Sequence, residues 1–567
     1  MGRRWGWMAA TCLMACASTA VAADQSTYGP GDPTAALPPA SSTSSPLQIP
    51  IPAPEAPDQS ETTLFTLTSV RFEGAIAVNP SALETTWRPL VGRPVSFVDL
   101  RRIGREAELI YAAAGYPFVA ILLTPQEVLG GAVTFRVVEG HISDLSVLGL
   151  DPVARRQVTD AFQPLVGRTP LPMSAVEVAY ETARQIPGLS LAGALRRGSE
   201  AGGMDLVIQA RRKTWRAYAN LNNSYSDAVG PWGALAGIDY NGTSRFGDRT
   251  SLQVYSTTDL GEQAVLKLNH SRVLNRYGTS VEIQAVRAWA SPQAAVAPLD
   301  LATDVISASV LATQPLMVRG LFSLRGHAGL EGTNQETRVF SSIRLTNDHL
   351  RIATLGLDAQ WRGERLQWLA GLEVRKGLDI AGASAPGDID LSRFGADPQA
   401  LVFRADLQGD LGLPLRFALN VRAIGQFADT SLTAPEEFSL GNLTIGRGYD
   451  PGSSFGDSAL AAAIELRAPA FAVASGLTAQ PFGFYDTARV WNHEFGAPDN
   501  RTVSSFGGGV RLEATGRFQL TLTYAAPQTA PLGFGEPTPG SRLLVNLTVG
   551  IPEVFRGLGR ASDRGAN

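Results

Sequence analysis

From about residue 213 onwards, apolar and polar residues alternate with a period of two, the pattern of strands with one apolar and one polar face. Leu366, Trp368, Ala370, Leu372 and Val374 alternate with Gln367, Leu369, Gly371, Glu373 and Arg375. The same rhythm sets Leu401, Phe403, Ala405 and Leu407 against Val402, Arg404, Asp406 and Gln408. It continues through Leu419 and Val421, through Phe518 to Tyr524 and through Leu543 to Val549, with Gly, Asn, Asp and Pro clusters between the runs. A soluble sandwich alternates too, but this pattern lasts roughly 340 residues without a helical interlude, far beyond a sandwich. Its polar faces also carry charges that a water-filled lumen tolerates. A closed barrel satisfies every backbone group in lipid. At about 20 residues per strand and loop, residues 213–551 predict an antiparallel transmembrane β-barrel of on the order of 16 strands.

Residues 64–212 follow a different, α+β pattern, and it occurs twice. Pro89-Leu90-Val91-Gly92-Arg93 returns as Pro164-Leu165-Val166-Gly167-Arg168. An extended segment precedes each copy, Thr68 to Glu73 and Ile142 to Leu148. A helix follows each. The first is opened by Ser96-x-x-Asp99 and stopped by Gly115-Tyr116-Pro117, with Leu100, Ile103, Ala107 and Ile110 on one face. The second opens at Ser174-x-x-Glu177 and stops at Pro187-Gly188. Paired strands close each unit, Phe118 to Leu123 with Val133 to Val138, and Leu189 to Leu195 with Met204 to Ile208. Two β-α-α-β-β modules are predicted, over 64–140 and 141–212.

Export is the expected fate. Arg3 and Arg4, an apolar run from Trp5 and Ala20-Val21-Ala22 read as a signal peptide over 1–22. Residues 23–63 are a Pro/Ser-rich tail, and 552–567 a polar C-terminal tail. Both cysteines, Cys12 and Cys16, fall in the signal, so the exported chain is expected to lack disulfides and thiolate chemistry. A net charge of −4 over 567 residues leaves no electrostatic footprint for nucleic acid.

The candidate chemistry centres on Gly446-Arg447-Gly448-Tyr449, one permanently charged fork between two flexible residues. Asp486, in Phe484-Tyr485-Asp486-Thr487-Ala488, is a candidate carboxylate for it. Gly452-Ser453-Ser454-Phe455-Gly456 matches G-x-S-x-G, with Asp486 and His493 following in hydrolase order. That motif needs a helix after the serine, whereas Leu460, Ala462, Ile464 and Leu466 alternate as a strand. His141, His270, His327, His349 and His493 lack metal-ligand spacing. Gly507-Gly508-Gly509 lies in a strand-like stretch and reads as relief of crowding at the barrel wall.

Taken together these residues resemble the two-partner secretion transporters of Gram-negative outer membranes, the haemolysin activation/secretion type. The tandem modules resemble its periplasmic POTRA pair, and the alternating region its 16-stranded barrel. Leu440-Gly441-Asn442 through Tyr449 resembles the tip of the sixth extracellular loop, which folds back into the lumen. Gly456, Asp457, Glu465 and Arg467 resemble the following strand, and Phe484-Tyr485-Asp486 the strand motif whose aspartate binds the loop arginine. The resemblance implies a pore and loop latch built from Arg447, Gly448, Tyr449, Phe484 and Asp486. It implies a monomer in outer-membrane lipid, inserted by the barrel-assembly machinery, that exports an unfolded exoprotein without nucleotide hydrolysis, cofactor, metal or enzymatic activity. A general barrel-assembly factor of the same superfamily is the alternative. The chain departs from the pattern at Gly446, where an apolar residue is usual, and at Ala488, which replaces a glycine. The family's N-terminal plug helix and terminal aromatic residue are not evident either. Client capture is expected on the edges near Val133 to Val138 and Met204 to Ile208.

Overall fold

The computed structural model describes residues 62–551, apart from 185, 199–201, 227–228, 243, 341, 364, 442–444, 494–500, 515–517 and 531–537. The expected signal peptide, almost all of the Pro/Ser-rich tail and the C-terminal tail lie outside the described residues.

A capping box starts the first long helix, Phe97–Ala113: the Ser96 hydroxyl accepts from the Asp99 N–H and the Asp99 carboxylate accepts from the Ser96 N–H. The helix buries Leu100 and Ile103 against Val70, Val133 and Phe135, and Ala107 and Tyr111 against Val137. Ala132–Glu139 pairs parallel with Ser69–Glu73 and antiparallel with Val119–Leu122. The second module repeats this plan. Gly203–Arg212 pairs parallel with His141–Leu148 and antiparallel with Leu189–Arg197, under helices Pro152–Phe162 and Met173–Arg184.

The repeated pentapeptide has one structural meaning in both copies. Each ends a short 3-10 turn, Arg88–Leu90 or Gln163–Leu165. Each then places its glycine at positive φ, 77° for Gly92 and 73° for Gly167. That backbone lets the glycine N–H donate back to the start of the preceding extended segment, to Leu67 O just before it in the first module (2.8 Å) and to Ile142 O within it in the second (2.9 Å).

Two expectations are corrected. Val133 to Val138 and Met204 to Ile208 lie in the central strands of their three-stranded sheets, already paired on both sides. The edges are Ser69–Glu73 and Val119–Leu122 in one module, His141–Leu148 and Leu189–Arg197 in the other. The helix expected to open at Ser174 begins at Met173, and the Glu177 carboxylate is engaged elsewhere, accepting from the Gly320 N–H of a barrel turn at 2.9 Å. With the Asp160–Arg245 pair at 3.1 Å, that contact ties the second module to one rim of the barrel.

Sixteen antiparallel strands form that barrel, which closes where Trp215–Asn222 pairs Arg542–Ile551. A short extra strand, Phe471–Ala474, pairs with Leu477–Trp491 in a turn on the module-bearing rim. The alternation resolves into an outer apolar face and an inner polar one. Leu372, Phe403, Leu407, Ile464, Tyr485 and Tyr524 are exposed on the outside, while Arg375, Glu465, Asp486 and Thr523 are buried within. No helix among the described residues is long and apolar enough to cross a membrane. The closed barrel, apolar on its outer face, pairs its backbone groups strand to strand as lipid requires.

Candidate functional site

Between strands Ala418–Ala428 and Ser458–Arg467 the chain leaves the rim opposite the modules, and this long loop returns into the barrel. Phe438–Leu440 and Ser454–Gly456 pair as a small hairpin that carries the tip. At the tip the Tyr449 N–H donates to Gly446 O at 2.9 Å, closing a four-residue turn. Gly446 takes φ +77°, and a Cβ there would lie 2.8 Å from Leu440. A residue with a side chain is therefore disfavoured for both backbone and space, which accounts for glycine at this position.

The turn delivers Arg447 to the inner wall. Its Nε and Nη2 donate to the two oxygens of Asp486 at 3.0 and 2.8 Å, and its backbone N–H adds a third bond at 3.1 Å. Nη1 donates to Glu465 at 2.8 Å. Asp486 and Glu465 point inward because Tyr485, Ile464 and Leu466, one position away, point outward. Arg447 is 6% exposed and Asp486 0%, so the pair is dry. Such a pair adds little net stability, because desolvation opposes the Coulomb gain, but leaving either partner alone is costly. What the pair supplies in the structure is geometry: it fixes where the loop tip meets the wall.

Neighbours complete the grip. The Phe484 ring lies under the guanidinium, 3.5 Å from its carbon to the ring centroid. That ring in turn fills the space a Cβ on Gly507 would need, and Phe482 does the same at Gly509, so the triple glycine relieves crowding as its sequence suggests. The Gly448 N–H donates to Ser505 Oγ at 3.2 Å, and a Cβ on Gly448 would sit 2.7 Å from Ser505 Cβ. Tyr449 is fully buried, and its hydroxyl bonds Ser504 O at 2.7 Å and Thr529 O at 3.0 Å. Arg542 reaches the Tyr449 carbonyl and pairs with Asp450 at 3.3 Å. Glu465 also meets Arg467 (2.8 Å) and Arg511 (3.3 Å), and Arg467 meets Asp410 (2.8 Å), so the latch continues as a chain of charges along the wall.

The structure thus brings together Arg447, Gly448, Tyr449, Phe484, Asp486, Glu465 and Arg467. Asp457 and Gly456 belong elsewhere. Asp457 accepts from the Leu432 and His493 backbone N–H groups, both at 2.7 Å, and from Arg393. Gly456 packs against Val490. Ser505, Thr529, Arg511 and Arg542 were not singled out from sequence; no motif ties any of them to the loop tip.

The hydrolase-like order does not assemble. Ser454 lies in a strand, Ser458–Arg467 is a strand rather than a helix, and Asp486 is engaged by Arg447. His493 Nε2 lies 3.1 Å from the Ala428 carbonyl oxygen. Of the remaining histidines, His327 pairs with Asp358 and Glu373, and His349 lies against the Gly382 carbonyl. Among the described residues no three His, Cys, Asp or Glu side chains gather as a metal site.

Residues 65–140 match the family model for the POTRA domain of ShlB type, and residues 327–512 that of the haemolysin secretion/activation protein ShlB/FhaC/HecB. The second match contains Arg447, Glu465, Phe484 and Asp486. The heme/hemopexin transporter protein HuxB of Haemophilus influenzae is 21% identical over 450 residues, covering 77% of this chain and 79% of that protein. The solved structure of CdiB from Escherichia coli aligns with TM-score 0.72 at 15% identity, over 88% of this chain and 93% of that one. CdiB from Acinetobacter baumannii aligns with TM-score 0.61 at 14% identity, over 87% and 91%. The likeness to both CdiB structures is one of fold.

Proposed function

We propose that this chain, which belongs to the two-partner secretion transporters of bacterial outer membranes and holds its N-terminal POTRA region in the periplasm, exports one exoprotein client in an unfolded state. The observation that carries the reading is the dry Arg447–Asp486 contact, which fixes a long loop inside a barrel behind two periplasmic modules. Asp486 receives three bonds from one residue, so the tip has a single well-defined seat on the wall. In that seat the loop is held in a secretion-competent position.

Client capture falls to the modules. An extended segment can add to the Val119–Leu122 or Leu189–Arg197 edge through main-chain hydrogen bonds, with side-chain pockets supplying selectivity. The sequence carries no G-x-x-x-x-G-K-[ST] loop, which accords with export drawn forward by client folding outside the cell. A general barrel-assembly factor would share the latch. The match to the haemolysin secretion model and the presence of two modules favour secretion of one client.

The test is Arg447→Ala in cells that co-express an exoprotein client. Export falls while the barrel still assembles, seen as a heat-dependent shift in gel mobility. Wild-type export from the assembled variant would remove the assignment.

A further inference from the structure

The loop that carries Arg447 is gripped at a second place, nearer its root. Glu436, in the short turn Ala434–Glu436, meets Arg375 in a two-point contact, Nε to Oε2 at 3.0 Å and Nη2 to Oε1 at 2.9 Å. Arg404 adds Nη2 contacts to the Glu436 carbonyl at 3.3 Å and to its Oε2 at 3.4 Å. The wall holds Arg375 in place from behind, through Glu331 at 3.0 Å and Glu373 at 3.4 Å. The Arg375 side chain is 1% exposed and is among the largest fully buried side chains of the described residues.

This grip is separate from the one at the tip. Glu331, Arg375 and Arg404 lie on strands Phe322–Val339, Leu366–Gly377 and Leu401–Gly412. The charged partners of Arg447 lie on Ser458–Arg467 and Leu477–Trp491, on a different arc of the barrel. No residue is shared between the two groups. Arg393, from a neighbouring loop, reinforces the root by bonding Glu437 at 3.1 Å, the Leu432 carbonyl at 2.8 Å, and Asp457 at the far end of the same loop.

We propose that Arg375 and Arg404 form a second, independent anchor that positions the loop by its root through Glu436. Freeing the tip leaves the root docked, and freeing the root leaves the tip seated. Both contacts are needed to hold the loop across the lumen. The inference rests on the reading of this loop as the element that shapes an export path, but its test reads loop exposure and needs no client.

Glu436→Gln is the informative variant. It removes one carboxylate while Arg375 and Arg404 keep Glu331 and Glu373 nearby, so the wall is left with balanced charge. Two single-cysteine reporters follow the two grips: Ser439→Cys, 5% exposed and three residues beyond Glu436 at the base of the hairpin, and Ser505→Cys, 0% exposed on the wall beneath the tip. They are placed in the full chain and labelled on whole cells with a membrane-impermeant maleimide. Glu436→Gln raises labelling of the Ser439 reporter several-fold and leaves the Ser505 reporter protected. Arg447→Ala gives the reverse, and the double variant exposes both by the sum of the single effects. Should Glu436→Gln not assemble, Arg404→Gln weakens the same contact from the wall side and is expected to expose the Ser439 reporter alone. The proposal is overturned if the root-side variant leaves Ser439→Cys protected, or if Arg447→Ala alone exposes it as fully as the double variant does.

Discussion

Arg447 and Phe484 are stacked, the guanidinium carbon 3.5 Å from the ring centroid, and this contact sets how the loop tip approaches the wall. Phe484 offers the fork an apolar floor, while Asp486, two residues on along the same inner face, receives its donors. A lysine could supply charge there but neither the planar stack nor the two-point contact. Arg447→Lys is therefore expected to behave more like Arg447→Ala than like wild type. Client export and channel conductance of the purified protein, measured for all three, check the order.

Gly448 tests the latch without touching charge. A Cβ would stand 2.7 Å from Ser505 Cβ and 2.9 Å from Pro527 N, and neither neighbour is the far end of a flexible side chain. Gly448→Ala should unseat the tip at a cost of about 1–3 kcal/mol, the usual range for overpacking. Maleimide labelling of a Ser505→Cys reporter should rise, with barrel assembly unchanged.

Gly507 supports the stack from behind. A methyl group there would meet Phe484 at 2.8 Å and also collide with the Tyr524 carbonyl. Gly507→Ala should displace the ring and lower export, whereas Gly412→Ala, with its nearest neighbours at 3.5 Å or more, should not. The pair separates loss of the stack from a general effect of adding a methyl group to a barrel strand.

Much of this was legible in the sequence, for physical reasons. Period-two alternation marks strands, and a charged residue between two glycines marks a turn built to present it. Asp486 was findable because Phe484-Tyr485-Asp486 resembles the strand motif whose aspartate binds the loop arginine. The second anchor left no comparable mark. Glu436 lies in a non-periodic loop, and Arg375 and Glu373 look like ordinary lumen-facing charges until the fold brings Glu331 and Glu436 to them. Edge strands were misplaced because Val133 to Val138 alternates whether its second neighbour is a strand or water. Ser174-x-x-Glu177 imitates a capping box, yet Glu177 is drawn away by the Gly320 N–H.

The N-terminal module carries its own pH dependence. Asp99 is held below its ordinary value of 3.8 chiefly by the Ser96 backbone N–H; burial opposes this as the next-largest effect, and the Ser96 hydroxyl and Arg102 lower it further. A carboxyl lowered on folding stabilises above its unfolded value and loses that contribution as pH falls through the folded one. The first module should therefore become more protease-sensitive below about pH 4, and Ser96→Ala, which costs about 1 kcal/mol of capping, should raise its sensitivity at neutral pH. Limited proteolysis of the full chain across pH 3–7, read at the 64–140 module, measures both.

Deleting residues 64–140 should weaken client capture, because the Val119–Leu122 edge leaves with the module while the Leu189–Arg197 edge stays, and should leave the barrel assembled, because its closing pairs do not involve the module. Co-purification of the client with the deleted and the full chain shows the difference.

The central claim is that Arg447 and Asp486 act on export as one unit, and a double-mutant cycle tests it most directly. Arg447→Ala, Asp486→Asn and the combination are compared for export of a co-expressed exoprotein, with assembly checked by heat-dependent mobility. Each single change should lower export, and the double variant should lose no more than the weaker single variant, because one contact can be lost only once. Losses that multiply independently, or wild-type export from either assembled single variant, would contradict the latch.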